Sequence, residues 1–182
     1  WLIARRLRGP LAAAVTALLL AVNPSFIFWS RQGIFVTNIT ALLFMAALWT
    51  GLRWWEARRP RDLIATAFLL GLGVYAKLLF VWAAIALVAV AGAAYLFQRA
   101  RKRGRPLGLT PRSVALAAVA FVAPLLPLIL FNLRTGGTLI SVFGHLGQSY
   151  YGVDNSAYLP NLLVRLGQVE TLLRSGQFWY LG

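Results

Sequence analysis

The sequence contains no cysteine, a single histidine and only four acidic residues in 182 positions. The missing cysteines exclude disulfides and thiolate metal sites. His145 lacks a set of carboxylates around it, so we predict no metal site and no cofactor, although a need for a divalent metal stays open. Neither a phosphate-binding loop nor a dinucleotide fingerprint occurs, nor an HExxH or DxD sequence. Gly71 and Gly73 lie in an apolar stretch, where they indicate close helix packing.

Hydrophobic residues are abundant instead. They make up 60% of the chain, charged residues only 12%, and the mean hydropathy is +0.72. This composition is typical of a polytopic membrane protein. The net charge of +14 first suggests a nucleic-acid partner. However, the basic residues lie between apolar runs, where cytoplasmic loops of membrane proteins concentrate them. We therefore predict no nucleic-acid partner.

Two apolar runs, Leu11–Phe28 and Ile34–Leu52, enclose a short polar turn that carries Arg31. Each run has about the ~20 residues that cross a ~30 Å hydrocarbon layer. Together they predict a membrane hairpin with Arg31 at its tip. Arginines before the first run resemble the start of a signal peptide, but Leu11–Phe28 is long for one and lacks a small-residue cleavage site.

The apolar stretch Leu63–Phe97 has 35 residues and one charge, Lys77. As a single helix it would be about 52 Å long, well beyond a ~30 Å core. We therefore predict two crossings that reverse near Lys77. A fifth crossing, Val114–Phe131, contains Pro124 and Pro127, which membrane helices tolerate when neighbouring groups satisfy the freed carbonyls.

If Trp1–Pro10 is cytoplasmic, the segments between the five predicted crossings alternate between the two sides of the membrane. The basic residues are then distributed very unequally between these sides. Thirteen of the 18 fall on the cytoplasmic side: Arg5, Arg6, Arg8, Arg53, Arg58, Arg59, Arg61, Arg99, Arg101, Lys102, Arg103, Arg105 and Arg112. The outer side holds Arg31, Lys77, Arg134, Arg165 and Arg174. This distribution follows the positive-inside rule. We therefore predict an all-α polytopic membrane helix bundle over residues 1–131 and an extracytoplasmic loop over residues 132–182.

The outer loop contains one amphipathic stretch, Leu159–Leu173. Its leucines and valine recur at helical spacing, opposite Asn161, Arg165, Gln168 and Glu170. A helix of this kind often lies along the membrane interface. Packing on a further outer domain is the alternative.

Three scarce outer cations are predicted at or near the outer ends of apolar helices: Arg31, Lys77 and Arg134. Each is explained as an interface anchor when taken alone. Together they suit a lipid-linked phosphate or pyrophosphate, because arginine grips two phosphate oxygens and lysine supplies a point charge. Aromatic residues that could stack on a sugar follow them, although an interfacial aromatic belt explains these equally well. Our candidates for contacts to the sugar or acceptor are His145, Tyr150 and Tyr151.

Three stretches resemble a known family. Leu19–Thr37 (LLAVNPSFIFWSRQGIFVT), Leu69–Lys77 (LLGLGVYAK) and Phe131–Gly152 (FNLRTGGTLISVFGHLGQSYYG) occur in the order expected for C-type membrane glycosyltransferases. The most similar branch contains the dolichyl-phosphate-mannose–protein mannosyltransferases and their bacterial aminoarabinose-transferase-like relatives. The resemblance covers roughly residues 11–182.

The resemblance implies transfer of a sugar from a polyprenyl-phosphate carrier to an acceptor on the outer face, with inversion at the anomeric carbon. By this resemblance, Arg31 and Lys77 contact the carrier phosphate. Where many relatives have an acidic residue after the Ser-Arg pair, this chain has Val36–Asn38. The family's acidic base belongs to a first outer loop that we expect upstream of Trp1. The catalytic base is therefore unassigned, and we expect the chain to be a fragment of a larger enzyme.

The sequence thus predicts a multi-pass membrane glycosyltransferase of the cell membrane, with its active face extracytoplasmic. The expected partners are a polyprenyl-phosphate-linked sugar, membrane lipids and an acceptor glycan, lipid or protein. A transporter or flippase subunit for lipid-linked sugars or other anionic lipids is the main alternative, because discontinuous helices are common in transporters. A membrane scaffold is the third.

Overall fold

A computed structural model describes residues 1–23, 26–27, 36–101, 107–145, 147 and 154–175. The fold is all-α, as predicted. The helices are α1 (Leu2–Val22), α2 (Thr37–Ala57), α3 (Pro60–Ala76), α4 (Phe80–Ala100), α5 (Pro111–Val122), α6 (Leu126–Thr135), α7 (Gly137–Gly144) and α8 (Tyr158–Ser175). A 3₁₀ turn, Ala123–Leu125, joins α5 to α6.

Helix α3 lies at the centre of the bundle and packs against α2, α4 and α5. It runs antiparallel to α2, because Thr66 of α3 lies beside Gly51 and donates a 2.8 Å hydrogen bond to the Thr50 hydroxyl. Further along the pair, Leu70 and Val74 are buried with Ala47 of α2. This arrangement satisfies polar hydroxyls between two otherwise apolar helices.

Helix α4 folds back along α3 after a break at Lys77–Leu79. The predicted reversal at Lys77 is thereby confirmed: the apolar stretch forms two helices rather than one of 35 residues. Phe80, the first residue of α4, turns into the core beside Gly73 and meets Phe44 of α2 edge to face at 6.3 Å.

Helix α5 runs parallel to α3 and approaches it very closely. A Cβ atom on Gly71 would lie 2.1 Å from the Phe121 carbonyl oxygen and 3.0 Å from Cγ of Pro124. The prediction that Gly71 and Gly73 mark close helix packing is therefore correct. At Pro124 the chain tightens into the 3₁₀ turn and then continues as α6, so neither Pro124 nor Pro127 stops the apolar segment.

The basic segments of the chain lie together at one end of the bundle. The Nε of Arg6 donates to both carboxylate oxygens of Glu56 at 2.9 Å, which joins the start of α1 to the end of α2. Arg53 Nε lies 3.3 Å from Asp62, and Arg58 packs beside Gly108, just before α5. The three segments predicted to share the cytoplasmic side thus meet at one end. Because α3 runs away from this end and α2 runs towards it, Val36 and Lys77 belong to the opposite end.

Two of the described helical segments, Phe80–Ala100 and Pro111–Thr135, are long and apolar enough to cross a membrane. The second extends the predicted crossing Val114–Phe131 by three residues at its start and by four at its end. The total of five crossings stays a prediction.

Beyond α6 the chain turns at Gly136, whose φ of +64° favours glycine. The Asn132 side chain fixes this corner: its Nδ2 donates to the Leu128 carbonyl at 2.8 Å, and its Oδ1 accepts from the Leu139 amide at 3.1 Å. Helix α8 confirms the predicted amphipathic helix, and its apolar side chains, such as Leu163 and Leu166, are exposed. Its position in the interface, like the boundary at residue 131, stays a prediction.

Candidate functional site

The end of the bundle opposite the basic segments carries the candidate site. Arg31, Tyr150 and Tyr151 lie outside the described residues. Val36, which follows the predicted Arg31 turn in the sequence, belongs to this end. Lys77 and Arg134 are described, and both are exposed.

The main chain at Lys77 is fixed although its side chain is exposed. Its backbone is extended (φ −152°, ψ 116°), and its N–H donates to the Gly73 carbonyl at 3.0 Å. Its own carbonyl accepts from the Phe80 amide at 2.8 Å. Lys77 therefore closes α3 and starts the turn into α4, and its side chain is exposed.

The packing of Gly73 against Phe80 braces this turn. A Cβ atom at position 73 would lie 2.3 Å from Cε1 of the Phe80 ring, so only glycine accepts the ring at its present position. The ring itself is buried, with 6% of its residue surface exposed. The glycine pattern thus holds α3 and α4 together immediately beside the lysine.

Arg134 lies in the last turn of α6, which ends at Gly136 with a 2.8 Å hydrogen bond from the Gly136 amide to the Asn132 carbonyl. Its level along the bundle follows from the Gly71–Phe121 contact. Lys77 is six residues past this contact, about 9 Å, and Arg134 is thirteen residues past it, about 20 Å. The two cations share one end of the bundle but lie at different levels. A shared phosphate site for Arg134 stays a prediction.

His145 and Asp154 lie together after α7. His145 Nδ1 contacts the Ser141 carbonyl at 2.7 Å, and the His145 carbonyl accepts from the Asn155 side chain at 3.2 Å. Hydrogen bonds from the Ser156 hydroxyl and amide lower the pKa of the Asp154 carboxyl. A lowered pKa makes a carboxylate a weaker base. Asp154 is thus poorly suited to deprotonate an acceptor.

Sequence reasoning missed the two carboxylate pairs and the role of Asn132. Asn132 is a polar residue near the end of an apolar helix, and that position was the available signal. The partners of Glu56 and Asp62 left no local signal, because each pair joins residues from different helices. Within the described ranges, no three His, Asp or Glu side chains come together as a metal-ligand set.

The helical bundle and its apolar segments indicate a membrane-associated protein. The chain belongs to the dolichyl-phosphate-mannose-protein mannosyltransferase family, whose family model matches residues 1–129. No curated protein and no solved structure matches the chain. The chain is therefore a membrane glycosyltransferase of the mannosyltransferase type. Leu19–Thr37 and Leu69–Lys77 lie within the matched residues, and Phe131–Gly152 lies beyond them.

Proposed function

We propose that this glycosyltransferase takes its sugar from a polyprenyl-phosphate donor and works on the extracytoplasmic face of a membrane that it crosses several times. Lys77 and Arg31 hold the carrier phosphate, and the chain contributes this side of the active site. The observation that carries the proposal is the exposed Lys77 ammonium on a fixed helix break, at the end opposite the basic segments. Family membership supports an enzyme over the transporter alternative.

The charges around Lys77 suit an anion. Helix α3 ends there, and its dipole disfavours a negative charge, whereas α4 begins three residues later and its dipole favours one. The two dipoles oppose each other, so the ammonium decides the sign of the local field. Near the membrane interface this charge is less screened than in bulk water.

In the proposed reaction, an acceptor hydroxyl or amine attacks the anomeric carbon of the donor sugar. The bond from that carbon to the phosphate oxygen breaks, and the lipid phosphate leaves with the electron pair. Lys77 stabilises the charge that develops on this phosphate. A carboxylate must take the acceptor proton. The lowered pKa of Asp154 argues against that carboxylate as the base, and no residue is assigned to this role.

The test is sugar transfer from a radiolabelled polyprenyl-phosphate donor by the enzyme in its native membranes. Loss of one group that stabilises a leaving charge typically costs about 10²–10³ in rate. We expect losses of this size for Lys77→Met and Arg31→Ala, and partial activity for Lys77→Arg. Arg112→Met is the matched control, because it removes an exposed cation from the opposite end of the bundle. Near-normal transfer by both Lys77→Met and Arg31→Ala would refute the site.

The orientation has its own test. Because the chain contains no cysteine, a single introduced cysteine can be labelled without background. A membrane-impermeant maleimide added outside should label Leu78→Cys and leave Leu109→Cys unlabelled, since the two partly exposed residues belong to opposite ends. The reverse pattern would place the Lys77 end in the cytoplasm.

A further inference from the structure

An open groove of about 920 Å³ lies between α2, α3, α4 and α5. Its walls are almost entirely apolar and include Leu63, Val88 and Phe121. Along α4 it extends from Val81 to Ala94, about 20 Å at 1.5 Å per residue. One leaflet of a ~30 Å hydrocarbon core is about 15 Å thick. The groove is therefore long enough for a lipid acyl chain, and its lining residues include Trp54 and Trp55 but neither Lys77 nor Arg58 itself.

One end of this groove carries a cation on two aromatic rings. Trp54 and Trp55 line the groove, with their ring centroids 6.3 Å apart. The Arg58 guanidinium lies 4.7 Å from the Trp55 centroid and 5.4 Å from the Trp54 centroid. Gly108 packs against the Cβ of Arg58, and the neighbouring Leu109 lines the groove. The Arg58 guanidinium thus lies on two rings that line the groove end, and Gly108 contacts the base of the same side chain.

The charge balance at this end is strongly positive. Before Asp154 the chain has only two acidic residues, Glu56 and Asp62. Both are engaged, Glu56 by Arg6 and Asp62 by Arg53. Several further arginines belong to the same end, among the described residues Arg58, Arg59, Arg61, Arg99, Arg101 and Arg112. A ligand that suits this end is therefore negatively charged.

We infer that the groove binds an anionic phospholipid of the cytoplasmic leaflet. One acyl chain lies along the apolar walls, and the headgroup phosphate lies at Arg58. An apolar trough that ends at a cation matches a molecule with an apolar tail and an anionic head. Cytoplasmic leaflets carry such lipids, which basic residues near the membrane attract. The inference shares with the proposed function only the assignment of the basic end to the cytoplasm.

The test uses the protein in nanodiscs of phosphatidylcholine, with tryptophan fluorescence as the readout. Phosphatidylglycerol or phosphatidylcholine with brominated acyl chains is added in increasing mole fraction, and bromine quenches tryptophans that it contacts. We expect brominated phosphatidylglycerol to reach half-maximal quenching at a mole fraction about fivefold lower than brominated phosphatidylcholine. This factor corresponds to the ~1 kcal/mol that one basic residue near an anionic surface contributes. The Trp54→Phe/Trp55→Phe variant should lose the selective part of the quenching.

The charge is tested with Arg58→Gln against Arg112→Gln, which removes the same charge from the same end without lying beside Trp54 and Trp55. The lipid preference is the ratio of the phosphatidylcholine and phosphatidylglycerol fractions that give half-maximal quenching. Arg58→Gln should bring this ratio close to one, and Arg112→Gln should keep it at about five. Circular dichroism verifies that each variant is folded. If Arg58→Gln does not reconstitute, the unmodified protein decides: equal quenching by both brominated lipids overturns the inference. Quenching no greater than in the double tryptophan variant overturns it too, as does an equal loss of preference in both arginine variants.

Discussion

Replacing Gly71 by alanine should push α3 and α5 apart. The new Cβ atom would lie 2.1 Å from the Phe121 carbonyl oxygen and 2.9 Å from its carbon. Both are main-chain atoms, so no side-chain rotation can relieve the overlap. An ordinary van der Waals contact needs about 3.4–4 Å. One helix must therefore shift by more than 1 Å, or the contact must open.

The size of the effect follows from two opposing terms. Overpacking of a well-packed contact costs about 1–3 kcal/mol, and a main-chain overlap belongs at the upper end of this range. Alanine in place of glycine within a helix gains about 0.8–1 kcal/mol. The matched control is Gly92→Ala in α4, where nothing lies within 4 Å of the new Cβ and only the gain applies. The two variants should therefore change stability in opposite directions and differ by about 3 kcal/mol.

The assay is thermal unfolding of the detergent-solubilised protein, with size-exclusion chromatography or circular dichroism as the readout. A difference of 3 kcal/mol corresponds to about 6–12 °C between the melting temperatures for a chain of this size. Gly71→Ala should melt below the unmodified protein and Gly92→Ala slightly above it. Equal melting temperatures for the two variants would contradict the packing of α3 against α5.

Three further predictions concern the two ends of the bundle. Gly73→Ala should displace the Phe80 ring and lower the rate of sugar transfer by changing the turn at Lys77. The double variant Gly73→Ala/Phe80→Ala should recover part of this rate. If it recovers none, the Phe80 ring does not stabilise the turn. Arg53→Met should destabilise the protein, because it leaves the buried Asp62 carboxylate without its arginine. Since Arg53 is partly exposed, the loss of unfolding free energy should stay below the ~3–5 kcal/mol that breaking a fully buried pair costs. The double variant Arg53→Met/Asp62→Leu should melt at a higher temperature than Arg53→Met. Hydrogen bonds from Arg6 lower the pKa of the Glu56 carboxyl, so its contribution to stability is present above the ordinary glutamate pKa and is lost as the pH falls through the lowered value. Melting temperatures measured against pH should show this acid loss in the unmodified protein and a smaller one in Glu56→Gln; identical profiles would show that the pair is irrelevant to stability.

The helix break at Lys77 could be predicted from the sequence because it depends on length alone. A 35-residue apolar helix does not fit a bilayer, and the one charge in it marks the place where reversal is least costly. The glycine pattern before Lys77 likewise predicted close packing. The partners of these glycines could not be predicted, because Phe121 is fifty residues from Gly71 and only the fold brings them together.

For the cations of the candidate site, too, the sequence predicts some properties and only the fold determines the others. Their enrichment at helix ends follows from the positions of the apolar runs. Their distances from one another depend on helix packing: the contact of Gly71 with Phe121 sets α5 and α6 so that Arg134 lies beyond the level of Lys77. The amphipathic pattern predicted helix α8 correctly, but a periodic pattern does not identify the surface that covers its exposed leucines.

The break in α1 has a mechanical consequence. Gly9 has φ 86° and ψ 179° and is followed by Pro10, so the arginine-bearing first turns and the apolar remainder of α1 are separate helical rods joined at a kink. Arg6 ties the first rod to α2 through Glu56. Because the break separates this salt bridge from the predicted first crossing, we expect a thicker or thinner bilayer to change the tilt of the second rod before it strains the Arg6–Glu56 pair.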